Sequence, residues 1–207
     1  MFESGPDSDI GAIGSAAPGH YGAGAVGEVA LAACTIAAAC NVQGDPARAT
    51  FLETAGRLFD VALPMRPNTT TRGGAWTALW SGPRSWLLVA HAGQALGMFT
   101  AHREALNDAG GALFDLSASR VAFVVSGRPA ATVMAKGCPL DFHPRAFPAG
   151  HCAQSLLGHV NAFIDRPDAA TAFRVMVARS LARDAWQGLC LSAAQYGYDV
   201  SPPMPFR

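Results

Sequence analysis

The spacing of apolar residues between positions 111 and 164 predicts a strand, a short helix, a long loop and a further strand. Residues 121–125 (VAFVV) are a β-branched and aromatic run of strand length, which Gly127 ends. Pro129 suits the first turn of a helix, where its missing N–H is no loss, and residues 130–136 are mostly good helix formers. Glycine and proline residues then stop this helix.

The first third of the chain has the same kinds of signal. Residues 27–42 mix β-branched with small side chains and predict one strand. Asp45 and Pro46 then give a helix N-cap followed by proline at the first helical position. Apolar residues recur at helical spacing from Phe51 onward, so we expect an amphipathic helix that ends near Leu63.

Further elements follow at regular intervals along the chain. Apolar segments 76–80 and 86–90 predict two strands around a tight turn. In the last helix, Ser180 is the predicted cap, and Leu181, Ala185 and Leu189 share a face. The remaining predicted elements are a helix at 94–108, the strand at 119–125, the helix at 129–136, and strands at 151–157, 160–164 and 174–177.

The order strand, helix, hairpin, helix therefore occurs twice, in residues 27–108 and again in residues 119–196. Two such halves predict an α+β fold of two βαββα ferredoxin-like modules, with antiparallel-rich sheets and helices on one face. Residues 1–26 are rich in Gly, Ala, Ser and Pro, and we expect an arm that is flexible or held by a partner. Residues 199–207 are interpreted as a proline-rich tail.

The charge and hydrophobic content of the chain indicate which kinds of partner it can bind. The chain has 207 residues, of which 50% are hydrophobic and 14% charged, with a formal net charge of +0. We therefore expect no nucleic-acid or membrane partner, because no excess of basic residues is present. The low charge favours burial in an assembly, although a monomer with an Ala- and Gly-rich surface is an alternative.

The cysteines indicate a reducing compartment. The five residues are odd in number and have no paired spacing, so we expect free thiols and no disulfide framework. The N-terminus lacks the pattern of a secretory signal, and the apolar run at 29–42 is too short to span a bilayer. A cytoplasmic protein is the expectation. The cysteines are Cys34, Cys40, Cys138, Cys152 and Cys190.

No set of residues forms a convincing catalytic pattern. His143, His151 and His159 lie on a proline-rich loop and on strands, which does not suit a zinc site. Cys152 next to His151 suggests a thiolate nucleophile, but neighbours on a strand point to opposite faces. The GxGxxG pattern at Gly22, Gly24 and Gly27 lacks a preceding strand, and Lys136 belongs to no phosphate-binding loop.

Acidic and aromatic residues leave some alternatives open. We expect Asp115 to bond a turn and Asp141 to pair with Arg145, although both acids are candidates for a site.

The aromatic residues also leave an alternative open. Phe142 and Phe147 either fold back on the core or present an apolar patch to a partner. Trp76, Trp80 and Trp86 are expected in the core or an interface rather than around a ligand.

Several separated segments carry a resemblance to a known family. They are LPMRPNTTT, LWSGPRSWLLVA, LFDLSASRVAFVVSGRPA, AKGCPLDFHPRAFPAGHCAQSLLGH and RVMVARSLARDAW. Together they resemble the gamma subunit of heterotetrameric sarcosine oxidase over residues 27–198. The resemblance implies a relative of the folate-binding domain of the glycine cleavage T protein.

The resemblance also implies a role. The assembled enzyme oxidatively demethylates sarcosine to glycine, giving hydrogen peroxide and, with tetrahydrofolate, methylenetetrahydrofolate. FAD, FMN, NAD, zinc and tetrahydrofolate are expected on the other subunits, and the gamma chain is expected to pack against the alpha subunit, in one complex with the beta and delta subunits. No catalytic, cofactor-binding or metal residue is carried over to this chain.

Two other functions stay open. One is a folate-binding subunit of a related N-methyl amine demethylase complex, for which Asp115 is the acid to pair with a pterin ring. The other is a free-standing regulatory protein.

Overall fold

The computed structural model describes residues 17–22, 28–91, 98–167 and 172–206. These residues form two compact units. The small-sheet unit, built on a five-stranded sheet, contains residues 36–91, 98–118 and 205–206. The large-sheet unit, built on a seven-stranded sheet, contains residues 17–22, 28–35, 119–167 and 172–204.

The described residues form twelve strands and four α-helices. The strands are β1 (Gly19–Tyr21), β2 (Val29–Thr35), β3 (Ala39–Gly44), β4 (Thr70–Arg72), β5 (Trp76–Gly82), β6 (Ser85–Ala90), β7 (Gly111–Asp115), β8 (Arg120–Gly127), β9 (His151–Leu157), β10 (Val160–Arg166), β11 (Ala172–Ala178) and β12 (Tyr198–Pro205). The helices are α1 (Ala49–Phe59), α2 (Phe99–Asp108), α3 (Ala130–Ala135) and α4 (Ala182–Ala193). No helix in these ranges is long and apolar enough to cross a membrane.

The small sheet has the strand order β4-β5-β6-β3-β7, and each neighbouring pair is antiparallel. Alternate residues of its strands, such as Val42 and Leu88, share one core with α1 and α2. Phe51 is fully buried in this core. Gly44 and Gly111 make room for its ring, because a Cβ at either position would lie 2.4 or 2.6 Å from a ring carbon.

The large sheet has the order β1-β12-β2-β8-β11-β10-β9. Alternate residues such as Leu31, Phe123 and Ile164 form its core with α3 and α4. β8, which contains the β-branched run, is the fourth of the seven strands and so lies at the centre of the sheet. Such side chains pack well against neighbours on adjacent strands. The other set of alternating residues on these strands includes Arg174, Met176 and Asp165, which are buried too.

The predicted α+β class with antiparallel-rich sheets is confirmed. The element order is richer than βαββα, because each module runs β-α-β-β-β-α-β, from β3 to β7 and from β8 to β12. The predicted halves also differ from the compact units. Residues 27–42 were expected to form one strand, but they form β2 and β3, which belong to different sheets. The chain turns at residues 36–38, between the two strands.

Two predicted helix starts are wrong. The Asp45 carboxylate accepts the N–H of Ala47, so it bonds the turn before α1, and the helix begins later, at Ala49. Ser180 lies inside a 3₁₀ turn, and α4 begins at Ala182 without a side-chain cap. Asp and Ser bond nearby backbone groups in turns as readily as at helix ends.

The predicted proline-rich tail is largely a strand. β12 runs along β1, with Val200 opposite Gly19 and Tyr198 opposite Tyr21. Most of the predicted arm at 1–26 lies outside the described residues, as do residues 94–97 of the predicted second helix.

Candidate functional site

The three histidines considered for a metal site have separate partners. His151 Nδ1 is 3.5 Å from the carbonyl oxygen of Ala149. His143 accepts the backbone N–H of Arg145 at its Nδ1, 3.2 Å away. His159 lies in the turn after β9, and its Nε2 is 3.7 Å from Asp184. In the part of the chain that the structure describes, no three His, Cys, Asp or Glu side chains are grouped so that they could hold a metal ion.

The cysteines are free thiols, and most are buried. Cys152 is fully buried, whereas its neighbour His151 on β9 is half-buried, as expected for adjacent residues on a strand. Burial raises the pKa of Cys34 to about 12 and raises the pKa of Cys40 well above the ordinary value. Because the thiolate is the reactive form, these two thiols are not activated nucleophiles at neutral pH.

The two candidate acids serve turns. Asp115 is exposed at the end of β7, and its carboxylate accepts the N–H of Ser117 at 2.8 Å, which confirms the predicted turn role. Asp141 accepts the N–H of His143 at 2.8 Å, and among the described residues it forms no ion pair with Arg145, so that predicted pairing is wrong. Asp115 is therefore not an acid set deep in a groove.

The loop between α3 and β9 folds back on the large-sheet core. Phe142 and Phe147 are 3% and 6% exposed, and the ring centroid of Phe142 is 5.0 Å from that of Phe173. The alternative of an exposed aromatic patch on this loop is therefore wrong.

The tryptophans of β5 and β6 belong to the small-sheet core, as predicted. Trp76 and Trp86 are buried, and Trp80 packs against the same core. The indole N–H of Trp86 donates to the carbonyl of Pro64 at 2.8 Å, which satisfies its polar atom inside the core.

Gly22 and Lys136, which were considered for phosphate binding, both lie in the large-sheet unit. Gly22 has a left-handed backbone with φ of 87°, while Gly24 and Gly27 lie outside the described residues. The ammonium group of Lys136 donates to the carbonyl of Ser192 and lies 4.9 Å from the ring centroid of Tyr196. Lys136 thus ties the end of α3 to the end of α4.

Sequence reasoning missed a buried ion pair. Asp165 of β10 and Arg174 of β11 are directly opposite in the antiparallel register, and they are 0% and 5% exposed. Arg174 Nε donates to both carboxylate oxygens at 3.1 Å, and Nη2 donates to Oδ2. The available signal was an acidic residue in one apolar-rich strand segment and a basic residue in the next.

Burial raises the pKa of the Asp165 carboxyl, while the charge and hydrogen bonds of Arg174 oppose that rise. The two-pronged contact fixes the pairing of β10 with β11, since a shift of one residue would bury both charges without partners. The pair is structural, because both oxygens of the buried carboxylate accept hydrogen bonds from Arg174.

A surface groove lies beside α1 in the small-sheet unit. It has a volume of about 390 Å³ and is lined by Leu52 and Gly56 of α1, by residues 60–63 and by Met65. Most of this lining is apolar, and Met65 is 53% exposed. Asp60, which ends α1 in the left-handed conformation with φ of 48°, provides a carboxylate.

Comparison with families and curated proteins gives one consistent result. Residues 43–195 match the model of the sarcosine oxidase, gamma subunit family. The sarcosine oxidase subunit gamma of Arthrobacter sp. is 33% identical over 136 residues, which are 65% of each chain. That of Corynebacterium sp. strain P-1 is 34% identical over 122 residues, 58% of this chain and 59% of the relative. The matches thus span less than two thirds of these relatives.

Solved structures show the same fold. A chain of the heterotetrameric sarcosine oxidase from Corynebacterium sp. U-96, in complex with pyrrole 2-carboxylate, matches with a TM-score of 0.75 at 23% identity, covering 83% of this chain and 87% of that one. The aminomethyltransferase T of the glycine cleavage system from Bartonella henselae matches with a TM-score of 0.60 at 15% identity, covering 85% of this chain and 48% of that one.

Proposed function

This chain belongs to the sarcosine oxidase gamma subunit family, and from that premise we propose that it is a non-catalytic subunit of a heterotetrameric sarcosine oxidase. The complex oxidatively demethylates sarcosine to glycine, with oxygen reduced to hydrogen peroxide and with methylenetetrahydrofolate formed from tetrahydrofolate. The observation that carries the proposal is the family match over residues 43–195.

In this proposal the chain contributes shape rather than chemistry. It packs against the alpha subunit, and the beta and delta subunits belong to the same complex. FAD, FMN, NAD, zinc and tetrahydrofolate bind to the other subunits. The flavin-dependent oxidation of the CH–NH group therefore takes place away from this chain. The free thiols favour a cytoplasmic location for the complex.

The surroundings of the candidate residues support a structural role. Asp115 and Asp141 hold turns, and the buried thiols of Cys34 and Cys40 are protonated. Large apolar side chains also remain exposed, including Leu191, which is 74% exposed, and Phe114, which is 50% exposed. A subunit interface would remove such side chains from water, which is favourable.

Co-expression with the other subunits tests the proposal. We expect the chain to co-elute with them on gel filtration, and the complex to produce hydrogen peroxide when sarcosine is added. The chain purified alone is expected to show no turnover and no flavin absorbance. Sarcosine-dependent turnover, or a stoichiometric flavin, pterin or metal on the isolated chain, would contradict a non-catalytic role.

The second candidate is a folate-binding subunit of a related N-methyl amine demethylase complex. The fold shared with aminomethyltransferase T favours it, at a TM-score of 0.60. The position of Asp115 does not, because its carboxylate is exposed and already accepts the backbone N–H of Ser117. Titration of the chain with tetrahydrofolate separates the two. Saturable stoichiometric binding, lost in Asp115→Asn, would favour the folate binder.

A further inference from the structure

Arg166, the last residue of β10, is a buried cation. It is 7% exposed, and it alternates with Ile164 so that both face the helix side of the large sheet. Its Nη1 donates to the carbonyl of Phe147 at 3.1 Å, and its guanidinium carbon is 5.7 Å from the ring centroid of Phe173. Its Nε is buried and has no hydrogen-bond partner among the residues that the structure describes.

Arg166 differs sharply from Arg174, the other buried arginine. Arg174 has the carboxylate of Asp165 in direct contact. Among the described residues, no carboxylate lies within ion-pair distance of Arg166. A carbonyl and an aromatic face compensate a buried positive charge only in part. The charge and the unbonded Nε–H therefore point to an anion that binds here.

A second nitrogen-bearing side chain lies beside Arg166. His151 of β9 is directly opposite Arg166 in the antiparallel register, so the two side chains are on the same face. His151 is half-buried and its Nδ1 is 3.5 Å from the carbonyl oxygen of Ala149, which is exposed two residues before it. The backbone is also fixed there, because the N–H of Gly150 donates to the carbonyl of Arg166 at 2.8 Å. The position thus opens toward the surface on the His151 side.

We propose that Arg166 and His151 form a carboxylate-binding site at this end of the large sheet. Nη1 is engaged by Phe147, which leaves Nε and Nη2, the two donors on one edge of the guanidinium, to match the two oxygens of a carboxylate. The His151 ring contacts the ligand from the surface side. The carboxylate comes either from a free small acid or from an Asp or Glu of a partner subunit.

The first test uses the full-length chain with ¹⁵N-labelled arginine. The Nε–H signal of Arg166 is assigned by its absence in Arg166→Lys. We expect this signal to shift saturably with sodium acetate and not with sodium chloride at the same ionic strength. His151→Gln, at a half-exposed position, is expected to weaken acetate binding about tenfold, as loss of one hydrogen bond to a charged group would.

The second test uses the co-expressed complex and distinguishes the sources of the carboxylate. If a partner supplies it, Arg166→Lys dissociates from the other subunits at a lower sodium chloride concentration than the unaltered chain does, because lysine lacks the planar fork. Arg145→Lys, at an exposed arginine on the neighbouring loop, is the matched control and should behave as the unaltered chain. An acetate response together with an unchanged complex indicates a free acid as the ligand.

Two results would overturn the proposal. One is an Arg166 Nε–H signal that does not shift with acetate, together with an Arg166→Lys complex that dissociates at the same sodium chloride concentration as the unaltered complex. The other concerns Asp168, which lies outside the described residues. If Asp168→Asn alone moves the Arg166 Nε–H signal in the direction opposite to the shift expected with acetate, the chain neutralises its own arginine. Because the proposed subunit role does not depend on Arg166, either result leaves that role untouched.

Discussion

The two units have the same order of elements but differ in what they bury. Each runs β-α-β-β-β-α-β, and in each sheet the third strand of the central group, β6 or β11, pairs with the first strand of the module. The small sheet then places β7 next to β3. The large sheet instead inserts β2 between β8 and β12 and adds β1 beyond β12.

The two units differ in the kinds of side chain that they bury. Apart from Thr77, the buried side chains of the small-sheet unit are apolar, with Phe51, Phe59 and Trp86 among the largest. The large-sheet unit buries Asp165, Arg166 and Arg174. The same framework thus tolerates either an almost entirely apolar core or a core that also buries charged side chains. We therefore expect the small-sheet unit to respond mainly to changes of volume, and the large-sheet unit to changes of charge.

The largest expected effect comes from separating the buried pair. Arg174→Met or Asp165→Leu alone should lower the free energy of unfolding by about 3–5 kcal/mol, because each leaves one buried charge unpaired. The double variant Asp165→Leu/Arg174→Met should recover most of that loss, since it leaves no unpaired charge. Urea unfolding followed by circular dichroism measures this double-mutant cycle. Strictly additive losses would show that the two groups do not depend on each other.

Arg174→Met should also change the pH dependence of stability. Without its cation, burial raises the pKa of Asp165 further, so the folded state keeps a proton that the unfolded state releases. The free energy of unfolding should therefore fall as the pH rises from about 4 toward the raised pKa. Asp165→Leu/Arg174→Met lacks the carboxyl group and should lack this extra slope.

A smaller effect is expected from volume added to the small-sheet core. Gly111→Ala places a Cβ 2.6 Å from the Phe51 ring, which has no free space to move into, and should cost about 1–3 kcal/mol. Gly56→Ala is the matched control, because a Cβ there meets no atom within 4 Å. It should stabilise α1 by about 0.5–1 kcal/mol. Thermal unfolding of both variants checks the prediction, and a stabilised Gly111→Ala would contradict it.

The smallest effect is expected at an exposed cation of the large-sheet unit. Lys136→Met removes the contact with the Tyr196 ring and the hydrogen bond to Ser192, and should cost at most about 1 kcal/mol because water competes for both. Urea unfolding of Lys136→Met and of Arg174→Met under the same conditions gives the comparison. A loss of unfolding free energy as large as that of Arg174→Met would show that the exposure of the two cations does not explain their contributions to stability.

Much of the fold could be predicted because the signals are local. The strands at 151–157 and 160–164 agree with β9 and β10, and the helix at 129–136 agrees with α3. β4 is too short to show alternation, and the prolines of β12 suppress a strand signal although the pairing with β1 uses residues before the first proline. The turn role of Asp115 was predicted for the same local reason, since its acceptor lies two residues from the N–H donor.

The sequence by itself determined which segments are apolar strands and amphipathic helices, because those patterns depend on residues a few positions apart. It also determined the family, through segments such as AKGCPLDFHPRAFPAGHC that match in order. Only the tertiary structure decided that β2 and β3 join different sheets, and that Asp165 lies opposite Arg174 while no carboxylate of the described residues pairs with Arg166. Both depend on which strands pair and on which residues then lie opposite each other, and a pattern of a few neighbouring residues does not choose the partner strand.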